Sequence, residues 1–358
     1  MSTRQEKFSG TKPVQAHLAF ATDKLEQFMR DKVEGFEGPL EVREFKGGQS
    51  NPTYQLVTPK QRYVLRRKPP GVLLPSAHAV DREFRVIDAL YRAGFPAPRA
   101  YALCEDESVV GTMFYVMEMV DGRILWDLSL PGSEASPKER GEVYDAMVST
   151  LAHLQSLDYK KVGLEGFGKP DAYMERQIHR WSKIYKASET SRIPLMDKLN
   201  EWLPQHIPPS NETCIIHGDY RLDNMILHPT ENRVIAVLDW ELSTLGDPLG
   251  DFAYHMAPWV IPAVDERVSS LEGMDLAALG IPTQEQYIKR YCELTGRKEI
   301  AHMDFFNAYT AWRLAAIYQG IIKRVQDGTA ASSDAPSTTD IVERFAERAW
   351  EYAQGKRT

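Results

Sequence analysis

The stretch "IIHGDYRLDNMILHPTENRVIAVLDWE", Ile215 to Glu241, decides how this sequence is interpreted. It carries five acidic residues and two histidines among short apolar runs that are typical of buried strands. Burying an ionised side chain without a partner is expensive, so a fold that keeps so many ionisable groups beside its strands has a chemical use for them. The stretch therefore predicts a polar site on the loop "HGDYRLDN" and the neighbouring strand ends.

The runs "MIL" and "RVIAVL" predict a β-hairpin, because the turn-rich connection "HPTEN" separates them. A hairpin folded about Glu231 and Asn232 places Asn224 opposite Asp239 at its open end. Asp219 precedes Asn224 on the same loop. Two carboxylates and an amide oxygen suit Mg²⁺, which keeps water and phosphate oxygens as its other ligands. The alternative is that these residues are only turn formers and caps.

The composition is that of an ordinary soluble globular protein. Of the 358 residues, 43% are hydrophobic and 26% are charged. The formal net charge of −7 argues against a nucleic-acid partner, because phosphate binding requires a clustered cationic excess. Three scattered cysteines form no disulfide framework, the N-terminal sequence lacks a signal-peptide core, and no apolar run is long enough to span a membrane. We expect a cytoplasmic protein without a membrane or nucleic-acid partner.

The pattern of elements along the chain predicts an α+β protein. Residues 1–38 mix a polar tail with a short helix, residues 39–120 form a strand-rich lobe, and residues 121–358 form a mainly helical lobe. The elements expected in the first lobe are strands at Leu40–Phe45, Thr53–Thr58, Arg62–Arg67 and Thr112–Val120, and a helix from about Ser76 to Arg92. The main helices expected in the second lobe are Lys138–Leu157, Asp171–Tyr185, Thr283–Gly296 and Phe305–Val325.

"HGDYRLDN" followed by "VLDWE" resembles the catalytic and metal-binding segments of the aminoglycoside/choline phosphotransferase superfamily. The pattern of an Asp, four residues, an Asn and a later Asp is matched by Asp219, Asn224 and Asp239. The family's "GDP…D" pattern ends here at Asp251. The resemblance runs over roughly residues 40–312. It implies a two-lobed protein-kinase-like fold with a small strand-rich N-lobe and a larger helical C-lobe.

The resemblance also implies a role for each of these residues. Asp219 would orient the acceptor hydroxyl or take its proton. Asn224 and Asp239 would hold Mg²⁺ against the phosphates of ATP or GTP. His217 is expected to buttress the loop, and Asp251 is expected to hold it by accepting hydrogen bonds. For Asp251, a surface aspartate is the competing interpretation.

A kinase-like N-lobe requires a turn over the phosphates and a hinge beside the base. The turn "GGQSNPTY" lies between the first two strands, and its candidate phosphate-covering residues are Gln49, Ser50 and Asn51, although most such turns have no ligand. By analogy with the hinge, the backbone carbonyl of Glu118 and the backbone amide of Val120 would hydrogen-bond the nucleotide base.

The same lobe requires a cation on the third strand paired to a carboxylate on the next helix. Helical periodicity places Glu83 on the apolar face of its helix, where a charge needs a partner. Arg66 stands where protein kinases have lysine, and its planar fork can hold both a carboxylate and a phosphate. Which of Arg66, Arg67 and Lys68 meets the nucleotide stays open, although a solvated strand-end charge suits Arg67 better than Arg66.

These features predict a Mg²⁺-dependent small-molecule O-phosphotransferase, a kinase that moves a nucleotide γ-phosphate to a substrate hydroxyl. "GGQSNPTY", "VLRRKPPG" and "LDWELSTLGDPLGD" resemble the family branch associated with acyl-CoA dehydrogenases. That resemblance implies a hydroxyacyl-CoA or related hydroxy acid as acceptor, and a functional link to an acyl-CoA dehydrogenase. The alternatives are an aminoglycoside- or choline-type kinase, a nucleotide-binding pseudokinase or scaffold, and a metal-dependent phosphohydrolase built on His217 and Asp219. The sequence predicts no oligomeric state.

Overall fold

The computed structural model describes residues 10–46, 51–71, 78–127, 135–264, 268–329 and 338–356. The chain forms two compact units, each assembled from separate segments. Unit 1 consists of Met1–Asp127, Tyr159–Glu165 and Arg221–Ser243. Unit 2 consists of Leu128–Asp158, Gly166–Tyr220 and Thr244–Thr358. The α+β class predicted from the sequence is confirmed.

The strands in chain order are β1 (Thr11–Lys12), β2 (Glu41–Phe45), β3 (Thr53–Val57), β4 (Arg62–Arg67), β5 (Ala100–Cys104), β6 (Phe114–Glu118), β7 (Cys214–Ile216), β8 (Met225–Leu227), β9 (Val234–Val237) and β10 (Thr244–Gly246). The helices are α1 (Thr22–Lys32), α2 (Val80–Arg92), α3 (Glu107–Val110), α4 (Pro137–Ser156), α5 (Tyr173–Ser188), α6 (Pro194–Gln205), α7 (Pro248–His255), α8 (Ala257–Val260), α9 (Leu276–Leu279), α10 (Gln284–Thr295), α11 (Met303–Gln326) and α12 (Asp340–Ala353). Short 3₁₀ turns occur at Ala16–Leu18, Leu222–Asn224 and Trp240–Leu242.

Unit 1 is built on an antiparallel sheet of six strands, in the order β1-β2-β3-β4-β6-β5 within the described residues. The four strands predicted from the sequence are present. Two were missed: β1 has only two residues, and β5 lacks the clean alternation of buried and exposed side chains that marks a half-buried strand. Both lie toward an edge of the sheet, where local pattern is weakest.

The two faces of the sheet carry different chemistry. Side chains alternate along β4, so Tyr63 and Leu65 enter an apolar core that helix α1 covers. Val64 and Arg66 lie on the opposite face and line a cavity. Arg66 therefore lines a potential binding site on one face of the sheet, and helix α1 packs on the other face.

Helix α2 begins at Val80, later than the Ser76 start expected from the sequence. Residues 72–77 lie outside the described part of the chain, and His78 precedes the helix in a left-handed conformation with φ 58°. The buried residues of the helix are Val80, Glu83, Val86, Ile87, Ala89 and Leu90. Glu83 is only 1% exposed, so the prediction that it faces inward is confirmed.

The predicted hairpin is present as β8 and β9, but its register differs from the prediction by one residue. Met225 pairs with Val237, and the ladder contains an irregularity one residue later. The backbone amide of Leu238 donates to the carbonyl of Asn224 at 2.8 Å, so the predicted pairing of Asn224 with Asp239 is wrong. Next to the turn Leu227 pairs with Val234, so the turn is centred one residue earlier than expected, and the irregularity between Ile226 and Leu227 removes part of the resulting offset. The apolar pattern of the two strands shows neither the centre of the turn nor the extra residue of a bulge.

Unit 2 is mainly helical, with β7 and β10 as a short antiparallel pair. Helix α4 begins with a capping box in which Ser136 and Glu139 exchange hydrogen bonds, and its predicted position is confirmed to within one residue. Helix α11 is buried along most of its length. Strand β7 leads directly into the loop that carries Asp219. Among the described residues, no helix has the length and apolar content needed to cross a bilayer.

Candidate active site

Unit 1 contains a cavity of about 230 Å³ on the Arg66 face of its sheet. It brings together five residues that the sequence nominated for nucleotide or metal binding: Arg66, Glu118, Val120, Asn224 and Asp239. Met117 and Met119 also line this cavity. The predicted phosphate-covering residues Gln49 and Ser50 lie outside the described residues.

Arg66 is the centre of a charged network in unit 1, in which Arg66 and Glu83 are buried and Asp239 and Glu241 are partly exposed. Its Nε atom lies 2.8 Å from Glu83 Oε2, which is the ion pair predicted from the sequence. Its Nη2 atom lies 2.7 Å from Asp239 Oδ1 and 3.1 Å from Glu241 Oε2. One guanidinium therefore bridges three carboxylates, which its planar fork of donors allows and a lysine ammonium would not reproduce.

Glu83 is the least exposed member of this network. Its Oε1 atom accepts a hydrogen bond from Asn51 Nδ2 at 2.9 Å, and its Oε2 atom accepts one from the Tyr115 hydroxyl at 3.0 Å. Burial raises the pKa of Glu83 to about 7, against the lowering effect of Arg66. Burial also opposes the charge of Arg66, but its carboxylate neighbours keep its pKa above the ordinary value. Glu83 is therefore the partner whose charge changes near neutral pH.

Asp239 reaches Arg66 from an unusual backbone conformation. Its φ is 64°, in the left-handed region that non-glycine residues rarely adopt. The next residue, Trp240, is 1% exposed, packs edge-to-face on Phe95 and donates from Nε1 to the carbonyl of Val237 at 2.9 Å. This packing offsets the strain and fixes the direction of the Asp239 carboxylate.

Glu241 is a site residue that was not predicted from the sequence. The 3₁₀ turn after Asp239 brings Glu241 back to the same guanidinium. The signal that could have found it is the spacing in "DWE", which puts two carboxylates two residues apart beside a strand end.

Arg67 is not the solvated strand-end charge that the sequence favoured. It is 3% exposed, and its guanidinium donates to the Tyr54 hydroxyl at 3.1 Å. It also donates to the carbonyls of Leu18 at 2.7 Å and Val110 at 2.6 Å. Strand alternation turns it to the face opposite Arg66, where the N-terminal segment covers it. Of the basic residues considered for nucleotide binding, Arg66 lines the cavity and Arg67 does not, so Arg67 is no longer a candidate.

In unit 2, Asp251 holds the loop that precedes Asp219. Its carboxylate accepts hydrogen bonds from the backbone amides of His217 and Gly218, both at 2.9 Å. Gly218 has φ +86°, a conformation that glycine adopts without strain. Asp251 is 1% exposed, so the predicted loop-holding contact is present and the surface alternative is wrong. Burial raises the pKa of Asp251, although His217 and the two amides lower it.

His217 and Asp219 occupy this loop as neighbours with different environments. His217 is fully buried, and its Nδ1 atom accepts a hydrogen bond from the Asp219 amide at 3.2 Å. Asp219 itself is partly exposed. The buried histidine thus supports the backbone, as expected, and leaves the aspartate accessible.

Arg313 was not predicted from the sequence, because it lies about a hundred residues after Asp219, on helix α11. Its Nη2 atom donates to the carbonyl of Gly218 at 3.1 Å, and its guanidinium carbon lies 4.0 Å from the Tyr254 ring centroid. Burial opposes its charge, but Tyr309 and other neighbours, including Asp219, keep its pKa above the ordinary value. A buried cation therefore fixes the carbonyl next to the candidate catalytic aspartate.

His255 fixes a second carbonyl of the loop. Its Nδ1 atom lies 3.0 Å from the carbonyl of Tyr220, and its Nε2 atom lies 2.7 Å from the Tyr287 hydroxyl. Because a carbonyl only accepts, His255 carries its proton on Nδ1 and Tyr287 donates to Nε2. Burial lowers the pKa of His255 to about 4, so the ring is neutral at pH 7.

The donor set of unit 1 fits a magnesium ion. Asn224 and Asp239 supply an amide oxygen and a carboxylate to the same cavity. Mg²⁺ accepts a small number of protein oxygens and keeps water and phosphate oxygens as its other ligands. The described residues contain no cluster of three or more His, Cys, Asp or Glu side chains suited to a metal. Convergence of Asp219 with these two residues stays a prediction, because Asp219 belongs to unit 2 and they belong to unit 1.

Comparison with known proteins supports the resemblance found in the sequence. Residues 41–286 match the phosphotransferase enzyme family, APH. Mouse "Acyl-CoA dehydrogenase family member 10" is 44% identical over 344 residues, covering 96% of this chain and 32% of that protein. Human "Acyl-CoA dehydrogenase family member 11" is 43% identical over 338 residues, covering 92% of this chain and 42% of that protein. The chain thus spans less than half the length of these curated relatives.

Solved structures confirm the predicted protein-kinase-like fold. A crystal structure from Ralstonia eutropha, described as a "putative aminoglycoside phosphotransferase", is 51% identical with a TM-score of 0.85 and covers 95% of this chain and 100% of that chain. Choline kinase from Cryptosporidium parvum is 14% identical with a TM-score of 0.59, covering 94% and 95%. Spectinomycin phosphotransferase in complex with ADP and spectinomycin is 11% identical with a TM-score of 0.57, covering 96% and 100%. At such identities the last two show the fold alone.

Proposed function

Since the chain belongs to the phosphotransferase enzyme family, we propose that it transfers the γ-phosphate of ATP or GTP to the hydroxyl of a small molecule. The observation that carries this proposal is the unit 1 cavity, where Arg66 lies at one wall together with Asn224 and Asp239. A cation and two oxygen donors of the kind that Mg²⁺ accepts are the chemistry that a polyphosphate requires.

Unit 1 residues would bind the nucleotide. The Arg66 guanidinium, oriented by Glu83, would hold phosphate oxygens through its fork of donors. The backbone carbonyl of Glu118 and the backbone amide of Val120 would pair with the edge of the base. Gln49 and Ser50 would cover the phosphates. When bound, Mg²⁺ would be held by Asn224 and Asp239 and would neutralise phosphate charge.

Asp219 would act on the acceptor. Its carboxylate would accept the proton of the attacking hydroxyl while that oxygen forms a bond to the γ-phosphorus. The bond between the γ-phosphorus and the bridging oxygen breaks, and the nucleoside diphosphate leaves. The bracing of this loop by Asp251, Arg313 and His255 supports such a role, because general-base catalysis depends on a fixed carboxylate position.

The acceptor is proposed to be a hydroxyacyl-CoA or a related hydroxy acid. The curated relatives support this, because they are named as acyl-CoA dehydrogenase family members and the chain matches only part of each. A functional link to an acyl-CoA dehydrogenase, and a cytoplasmic setting, belong to the same proposal.

Nucleotide labelled at the γ-phosphate, tested against hydroxyacyl-CoAs, free hydroxy acids, aminoglycosides and choline, would test the proposal. We expect label transfer to a hydroxyacyl acceptor, lost in Asp219→Asn although the nucleotide still binds. Nucleotide binding without transfer to any acceptor would favour a pseudokinase or scaffold. Phosphate release from phosphoesters without nucleotide would favour a phosphohydrolase.

A further inference from the structure

We propose that Asn51 and His78 are positioning residues that hold Glu83, and through it Arg66, in the geometry that binds the nucleotide phosphates. The inference rests on the nucleotide-dependent function proposed above. It departs from the sequence-based expectation that the Asn51 side chain covers the phosphates. Asn51 has no exposed surface, and its side chain is directed at the ion pair.

The hydrogen bonds of Asn51 fix the orientation of its amide. Its Nδ2 atom donates to Glu83 Oε1 at 2.9 Å and lies 3.5 Å from Glu241 Oε2. Its Oδ1 atom lies 2.8 Å from His78 Nδ1. A flipped amide would place its oxygen against two carboxylates, so the observed orientation is the favourable one. Because Oδ1 can only accept, His78 donates from Nδ1.

Asn51 donates a hydrogen bond to Oε1 of Glu83, the carboxylate oxygen that does not face Arg66. Glu83 Oε2 faces Arg66 and the Tyr115 hydroxyl, whereas Oε1 receives the donor of Asn51. Removing that donor would leave a buried carboxylate oxygen unsatisfied, which costs more than a typical hydrogen bond contributes. The carboxylate would then rotate or take up a proton, and Arg66 would lose its fixed partner.

The same contact joins the two chain segments that carry the ion pair. Asn51 leads into β3, in which Thr53 pairs with Arg66 of β4. His78 leads into helix α2, which carries Glu83. The Asn51–His78 hydrogen bond therefore ties the start of the helix to the start of the strand, and it sets the distance across which Arg66 and Glu83 meet.

Asn51→Asp provides a direct test, because it keeps the shape of the side chain and replaces the donor with a carboxylate facing Glu83 and Glu241. We expect the dissociation constant of the Mg²⁺–ATP complex, measured by titration calorimetry, to rise about tenfold, since a lost hydrogen bond to a charged group has that order of effect. With a turnover assay, the KM for nucleotide rises and kcat at saturating nucleotide stays within about twofold. Asn51→Ser, which is smaller and uncharged, gives a milder rise and serves if Asn51→Asp does not fold.

His78 allows a rescue experiment. Its φ of 58° is tolerated by glycine and asparagine, so His78→Gly removes the donor without strain and His78→Asn restores an amide donor. We expect His78→Gly to weaken nucleotide binding about fivefold, by the loss of one hydrogen bond, and His78→Asn to recover most of it. His302→Gly is the matched control, because His302 also has a positive φ of 60° but lies exposed in unit 2.

The outcomes separate the two proposals. Wild-type protein that binds no nucleotide would overturn the proposed function. Wild-type protein that binds nucleotide, with folded Asn51→Asp and His78→Gly variants that bind it equally well, would overturn the positioning role alone. A fall in stability without rescue of nucleotide affinity by His78→Asn would also overturn it, since a merely structural role predicts that result.

Discussion

The two units hold their candidate functional groups by opposite means. In unit 1, Arg66 is held through side-chain charges, chiefly those of Glu83 and Asp239. In unit 2, the loop carrying Asp219 is held through its backbone. Asp251 accepts hydrogen bonds from two backbone amides, and the buried side chains of Arg313 and His255 each donate to a backbone carbonyl. A carboxylate partner changes its charge with pH and with a bound ligand, whereas a backbone amide or carbonyl keeps its donor or acceptor character at any pH. Changes in unit 1 should therefore alter nucleotide binding, and changes in unit 2 should alter turnover and stability.

The largest expected effect follows from Asp219→Asn. Loss of the proton acceptor should lower kcat about 1,000-fold, within the range of general-base contributions, while nucleotide affinity stays within a few-fold. Asp239→Asn should instead weaken binding of the magnesium–nucleotide complex. Steady-state kinetics and titration calorimetry on both variants measure the contrast. Substantial turnover by Asp219→Asn would refute the assigned base.

The next effect concerns the backbone support of the loop. Asp251→Ala leaves the buried amides of His217 and Gly218 without their acceptor and should lower the free energy of unfolding by about 3 kcal/mol. Urea denaturation measures this, with the exposed Asp171→Ala as a control expected to change stability by less than about 0.5 kcal/mol. Equal stability of the two variants would show that the loop does not depend on Asp251.

The titration of Glu83 in unit 1 should affect nucleotide binding and protein stability in opposite ways. Because burial raises the pKa of Glu83 to about 7, Arg66 loses one of its three carboxylate charges, the most buried one, as the pH falls below that value. Nucleotide affinity should then fall up to about tenfold per pH unit, following the ionised fraction, and Glu83→Gln should show no such slope. A wild-type affinity that is flat from pH 8 to 5.5 would contradict this.

The contribution of Glu83 to the free energy of unfolding should change with pH in the opposite direction to nucleotide affinity. A carboxyl whose folded pKa lies above its unfolded value of 4.5 stabilises the protein fully below 4.5, and that contribution is lost as the pH rises through about 7. The stability of wild type relative to Glu83→Gln should therefore fall over this interval. Urea midpoints at several pH values measure it, and a rising difference would contradict the assignment.

A stability change of similar size and opposite pH dependence is expected at His255 in unit 2. Its folded pKa of about 4 lies below the unfolded value of 6.5, so its contribution to stability is present above 6.5 and is lost as the pH falls toward 4. Wild type should lose more stability than His255→Gln over this interval. The exposed His302→Gln serves as the control and should follow wild type. Parallel curves for wild type and His255→Gln would show that the ring is not buried in its neutral form.

Much of the fold and part of the site could be predicted from local patterns. Helical periodicity was sufficient to place Glu83 in the interior, and the turn between two apolar runs was sufficient to predict the hairpin of β8 and β9. The spacing of Asp219, Asn224 and Asp239 identified the family. These features depend on residues close together in the chain, and periodicity records which of their side chains must be buried.

The sequence by itself determined the α+β class, the succession of elements and the residue types available for phosphate chemistry. The tertiary structure decided that the carbonyls of Leu18 and Val110 bind Arg67, that Glu241 joins Arg66, and that Asn51 braces Glu83. The physical reason is that these outcomes depend on contacts between segments separated by tens to nearly two hundred residues. Which distant group satisfies a buried charge is settled only when the elements pack.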